Sequence, residues 1–209
     1  MVFAALFATL NWALSYYSHT SNLDVPYLFW AMIATLWLVR AIARREPRRL
    51  RMFAVFAVMA VATKDQAYAM FLLGAPTAIA AWLVIDTWAR AARPRTLIVR
   101  DIALATVIGV VLLLLLDGAI FNPSGFRARV AFLTGPASKD FEIHSRDTRG
   151  RLLAFADSFT YFRRHYPPIV SVLVLLGIPI AIARARRVSA PVFAASLVPV
   201  WIALSFSIC

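Results

Sequence analysis

Long apolar runs separated by clumps of arginine constrain this chain more than any other feature. Stretches at about residues 2–17, 26–43, 50–63, 67–88, 101–121, 168–183 and 191–208 carry few charges. Most approach the roughly 20 residues a helix needs to cross the hydrocarbon of a bilayer, although 50–63 is short. Composition agrees: 62% of the 209 residues are apolar, 15% are charged, and the mean hydropathy is +0.75. A soluble domain has roughly 45–50% apolar and about 25% charged residues, so a soluble globular enzyme is excluded. The net charge of +12 would suggest a nucleic-acid partner in a soluble chain. Here the charges sit between the apolar runs, and no nucleic-acid partner is expected. The reading is an all-α, polytopic transmembrane helix bundle of about seven spans. It forms a single membrane domain over 1–209, with one sizeable outer loop at 122–166.

Arginine counts set the orientation, because cytoplasmic loops carry the excess of Lys and Arg. Windows 40–51, 89–100 and 184–190 hold 13 basic residues in 31 positions, whereas windows 18–25, 63–67 and 122–166 hold 9 in 58. The basic windows alternate as seven consecutive spans require, which places Met1 on the cytoplasmic side. Six of the ten acids, Asp24, Asp65, Asp140, Glu142, Asp147 and Asp157, fall in the outer windows. Chemistry is therefore expected on the outer face.

The outer loop begins with NPSG and GPAS turn signals. Later, in TRGRLLAFADSFTYFRR, Leu152, Phe155, Phe159 and Phe162 recur at helical spacing. That pattern predicts an amphipathic helix lying in the interface, or a lid on the bundle mouth. Cys209 is the one cysteine, so no disulfide framework forms within the chain. Neither end of the sequence carries a polar flank or a signal-peptide pattern, and the chain is expected to be a fragment.

Phosphate-loop, dinucleotide, zinc-protease, serine-hydrolase and CxxC signatures are absent from the sequence. The informative residues are charges at the membrane boundaries, which are costly there and tend to serve pairing or function. Asp24, in His19-Thr-Ser-Asn-Leu-Asp24-Val-Pro26, reads as a helix start with proline in the first turn. A carboxylate held there keeps a lone pair for a divalent cation or a sugar hydroxyl. Asp24 is thus a candidate metal ligand as well as a substrate-binding residue, and His19 is a candidate neighbour.

The second feature is Ala62-Thr63-Lys64-Asp65-Gln66-Ala67-Tyr68, a polar interruption too short for an ordinary solvated loop. Lys64 follows a short span, so its ammonium is expected below the membrane surface. There a point charge in a low dielectric is suited to a phosphate. The competing reading has Lys64 snorkelling outward or pairing with Asp65. Asp117 is expected to pair with Arg127 or Arg129, and Asp86 and Asp101 to anchor near cytoplasmic arginines. One or two outer-loop basic residues could help hold a phosphate group.

SHTSNLDVPYLFW followed some forty residues later by ATKDQAY resembles the GT-C class of membrane glycosyltransferases. The likeness is to bacterial aminoarabinose transferases and protein O-mannosyltransferases, which use polyprenyl-phosphate sugars. FNPSGFRARVAFLTGPAS adds to the resemblance, which covers roughly residues 10–150. It implies a multi-span fold in the bacterial inner (plasma) membrane with its active site at the outer face. It further implies a second-acid or cation-binding role for Asp24 and a lipid-phosphate role for Lys64, while the principal catalytic carboxylate is expected upstream of Met1. The activity implied is part of a transfer in which an acceptor hydroxyl attacks the anomeric carbon as the lipid phosphate leaves. The alternatives are a non-catalytic membrane protein and a lipid-phosphate binder or transporter.

Overall fold

The computed structural model describes residues 23–88, 95–135, 144–145, 147–165 and 167–208. Among these residues there is no strand, and the protein is all-α. The helices are α1 (Asp24–Ala43), α2 (Leu50–Thr63), α3 (Tyr68–Leu72), α4 (Gly74–Trp88), α5 (Arg95–Leu116), α6 (Pro123–Thr134), α7 (Thr148–His165), α8 (Pro168–Val188) and α9 (Ala190–Ile208). Short 3₁₀ turns at Pro47–Arg49 and Asp65–Ala67 flank α2. Among the described residues three segments are long and apolar enough to cross a membrane: Val25–Ala43, Asp65–Val84 and Ile98–Leu116. The apolar helix Pro191–Ile202 is shorter. The stretch at 2–17 lies outside the described residues.

The expected run 67–88 is not one helix but two, α3 and α4, meeting at Leu73. Pro76 accounts for the break, since it has no N–H and its ring clashes with the carbonyl four residues back, that of Leu72. Ser205 of α9 fills the gap: its hydroxyl accepts from the Leu73 N–H at 3.1 Å and donates to the Ala69 carbonyl at 2.5 Å. The side chain is thereby inserted into what would be an ordinary i to i−4 backbone bond. Two longer helices end in paired Schellman bonds. At the end of α5, Ala119 N–H reaches Leu114 O at 2.9 Å and Gly118 N–H reaches Leu115 O at 3.2 Å, with Gly118 at φ 77°. At the end of α1 the same pair runs from Glu46 to Ala41 and from Arg45 to Ile42, with Arg45 at φ 54°.

The core is built from α1, α2, α4 and α9, with α5 against the outer side of α2. Its inner faces are rich in alanine: Ala31, Ala34 and Ala41 on α1, Ala57 and Ala60 on α2, Ala194 and Ala195 on α9. Small side chains let helix backbones approach closely, which is how helices associate where apolar burial gives little advantage. Leu38, Trp82 and Val198 fill the space between them. The outward faces are apolar as well, for only 17% of the Ile98–Leu116 window is buried. Val99, Val107, Val110 and Val111 stand exposed along it, as suits a lipid-facing helix.

The two ends of the bundle differ in charge. At one end Arg51 donates to Asp101 at 2.5 Å, joining α2 to α5. Nearby, the Arg40 and Arg49 guanidinium groups lie 5.6 and 5.5 Å from the Trp37 ring centroid. Asp101, 3% exposed, is thus anchored by an arginine from a different helix. Helices α2 and α5 run parallel, so their far ends also meet, and there Lys64 and Asp117 reside.

Candidate functional site

Lys64 sits where α2 stops. Its backbone is extended, at φ −150° and ψ 119°, and both of its peptide groups are engaged. The Lys64 N–H donates to Ala60 O at 3.0 Å, and the Lys64 carbonyl accepts from Ala67 N–H at 2.9 Å. The side chain therefore leaves the chain from a fixed point. It is partly buried, and its Nζ lies 5.5 Å from the centroid of the Tyr27 ring, within cation–π range. Tyr27 belongs to the first turn of α1, one helical turn after Asp24. The sequence-predicted pair Asp24 and Lys64 is thus brought to the same end of the bundle by its backbone. Helix α1 begins at Asp24 with Leu23 in the capping position, and Pro26 falls in the first turn, as its missing N–H allows. The Asp24 side chain and all of His19 lie outside the described residues.

The helix ends around Lys64 have opposite polarity. The C-terminus of α2 presents carbonyls, which favour a cation at Lys64, while the N-terminus of α1 presents N–H groups, which favour an anion beside it. Thr63 is occupied locally, its hydroxyl donating to Met59 O at 2.7 Å.

Asp65 is paired with an arginine. Arg129 of α6 forms an ion pair with Asp65 through one guanidinium nitrogen and with Asp117 through the other, the latter at 2.9 Å. One planar fork thus joins the 3₁₀ turn after α2, the end of α5, and α6, in the two-pronged geometry guanidinium favours. Asp117 is only 13% exposed, so its pairing compensates a largely desolvated charge. The hydrogen bond to Asp65 foremost, against some desolvation, raises the Arg129 pKa, so the cation is firmly held. The Asp117–Arg129 pair was legible in the sequence. The Asp65–Arg129 pair was not, and its only signal was that loop alternation puts both residues on one face.

NPSG folds not as a turn but as the cap of α6: the Asn122 side chain accepts from Gly125 N–H at 3.0 Å, and Pro123 occupies the first helical position. The amphipathic segment is helix α7 (Thr148–His165), as its spacing predicts. Asp147 caps it, accepting from Gly150 N–H at 2.8 Å and from the Ser145 hydroxyl at 2.5 Å. These bonds, the Ser145 one foremost, hold the Asp147 carboxyl below the usual carboxylate range. His144 Nε2 lies 2.9 Å from Asp157 Oδ2, pinning the approach to α7 onto its body. Helix α7 packs on α9 and α8, while Leu152 and Phe159 remain exposed. Among the described residues no three His, Cys, Asp or Glu side chains converge as a metal centre.

No known protein family matches the chain, and neither a curated protein nor a solved structure does.

Proposed function

We propose that this chain is part of an integral-membrane glycosyltransferase that moves a sugar from a polyprenyl-phosphate donor to an acceptor on the outer face of the membrane. The membrane is taken as the bacterial inner membrane, crossed about seven times, with the Lys64 end outward. The observation that carries the reading is Lys64, an ammonium on a backbone pinned from both sides beside the first turn of α1. Thirteen residues of helical rise separate Arg51 from Lys64, about 20 Å against the roughly 30 Å of hydrocarbon in a bilayer. With Arg51 at the headgroups of one leaflet, the Lys64 ammonium falls inside the apolar layer. There its attraction for a phosphate is stronger than in water.

In this reading the polyprenyl tail lies along the exposed apolar faces and the donor phosphate meets Lys64. As the bond from the anomeric carbon to the phosphate oxygen breaks, negative charge grows on the phosphate, and a fixed cation stabilises that charge more than the ground state. Asp24 is assigned the second-acid role, with a divalent cation as its candidate partner, and His19 a supporting one.

The Lys64–Tyr27 contact also supports a second reading, a non-catalytic membrane protein in which the cation–π pair fastens α1 to α2. A polyprenyl-phosphate probe with a photoreactive group beside its phosphate separates the two. Crosslinks within residues 24–28 or 63–68 are expected from the transferase reading. Crosslinks confined to the arginine-rich end, or none above a phosphate-free probe, would sink it.

A further inference from the structure

At the end of the bundle opposite Lys64, a cleft of about 840 Å³ opens between the last turns of α8 and the start of α9. Its placement follows from α9 itself. Ser205 marks the Lys64 end, and Phe193, which lines the cleft, lies twelve residues earlier, about 18 Å along the helix. The walls are apolar: Ile178, Pro179, Ile182 and Ala183 from α8, and Phe193 from α9. Pro179, inside α8, has no N–H to donate to the carbonyl of Leu175. Arg186 and Arg187, both exposed, complete the lining. They stand in the last turn of α8 just before the extended Ser189.

Charge and surface together define an occupant. Helices α8 and α9 contain no carboxylate, so neither helix itself supplies a counter-charge to the two guanidinium groups. On the outward side Leu175, Leu176 and Ile180 are exposed, so the apolar wall continues onto a lipid-facing surface. A free anion would use the arginines and leave the apolar wall bare. A molecule with a phosphate headgroup and acyl chains uses both, as basic pockets between spans do.

We propose that this cleft binds an anionic glycerophospholipid of the surrounding bilayer, its phosphate on Arg186 and Arg187 and its chains along Ile178, Ile182 and Phe193. The inference rests on membrane embedding and not on the glycosyl-transfer reading.

The test is titration of the purified full chain in mild detergent with a fluorescent-tailed phosphatidylglycerol, with the matching phosphatidylcholine as reference. The wild type is expected to favour phosphatidylglycerol. Arg186→Gln with Arg187→Gln should weaken that binding roughly ten- to thirty-fold. Arg149→Gln with Arg151→Gln, which removes the same charge from α7, should leave it within about two-fold. Ile182→Trp, which narrows the cleft without changing charge, should weaken both lipids. Equal affinity for the two lipids in the wild type, or equal loss from the two arginine pairs, would overturn the proposal. So would saturable binding of inorganic phosphate combined with lipid affinity unmoved by Ile182→Trp, because the site would then take an anion and not a lipid.

Discussion

The Lys64 ammonium stands 5.5 Å from the centre of the Tyr27 ring, which makes the end of α2 and the start of α1 one locality. Asp24 and Lys64 are forty residues apart in sequence, and the antiparallel packing of α1 and α2 carries both to the same end. A ring face beneath an ammonium attracts it without quenching its charge, so the cation retains its pull on an anion.

Arg129 holds the neighbouring carboxylates together, and its removal should be felt beyond its own contacts. Arg129→Met leaves Asp65 and Asp117 facing each other without the shared cation, and the loss is expected to be about 1–3 kcal/mol. Arg129→Lys should recover only part, because an ammonium cannot span two carboxylates as a fork does. Asp65→Asn with Asp117→Asn in the Arg129→Met background should restore stability. Thermal unfolding of the purified protein in detergent measures all three.

The α3–α4 break makes a coupled prediction. Ser205→Ala removes a buried hydroxyl that serves both Ala69 O and Leu73 N–H, at an expected cost of about 1–3 kcal/mol. Adding Pro76→Ala should lower that cost, because the helix can then close its own backbone bond. At the same junction a Cβ on Gly74 would come within 3.0 Å of the Ile202 Cα and 3.1 Å of the Trp201 carbonyl oxygen. Those atoms belong to a helix backbone, so Gly74→Ala is expected to cost about 1–3 kcal/mol and Gly74→Val more. Unfolding midpoints of the single and double variants decide both points.

Asp147 gives the account its pH dependence. Its carboxyl titrates below the ordinary value of 3.8, so the folded state favours the charged form. The stability this contributes is fully present above the unfolded-state pKa and is lost as pH falls through the lower folded-state value. Acidification from neutrality to about pH 5, above the ordinary carboxylate range, should leave the start of α7 intact, and further acidification should fray it. Asp147→Ala should fray it at neutral pH and abolish the acid dependence there. Hydrogen exchange at residues 148–151, followed across pH, is the measurement.

Legibility in the sequence tracks the kind of interaction. Period and composition announce α1, α5 and α7, because an apolar run or stripe needs no partner to be seen. The break at Leu73 was not legible: Pro76 signals a perturbation, but the hydroxyl that repairs it comes from Ser205, over a hundred residues away. Arg129 shows the same limit, since its link to Asp117 spans twelve residues and was foreseen, while its link to Asp65 spans sixty-four and depends on how α6 folds back. NPSG looked like a turn because an Asn-Pro helix cap and a turn begin with the same residues.

A lipid phosphate at the Lys64 end is tested most directly by comparing a polyprenyl phosphate with the matching polyprenol, which lacks the phosphate. Wild-type protein should prefer the phosphate by roughly ten- to a hundred-fold, as expected for charge-assisted hydrogen bonding. Lys64→Met, verified as folded by its unfolding midpoint, should erase that preference while leaving polyprenol binding unchanged. Equal preference in wild type and a folded Lys64→Met protein, or no preference in either, would contradict the account.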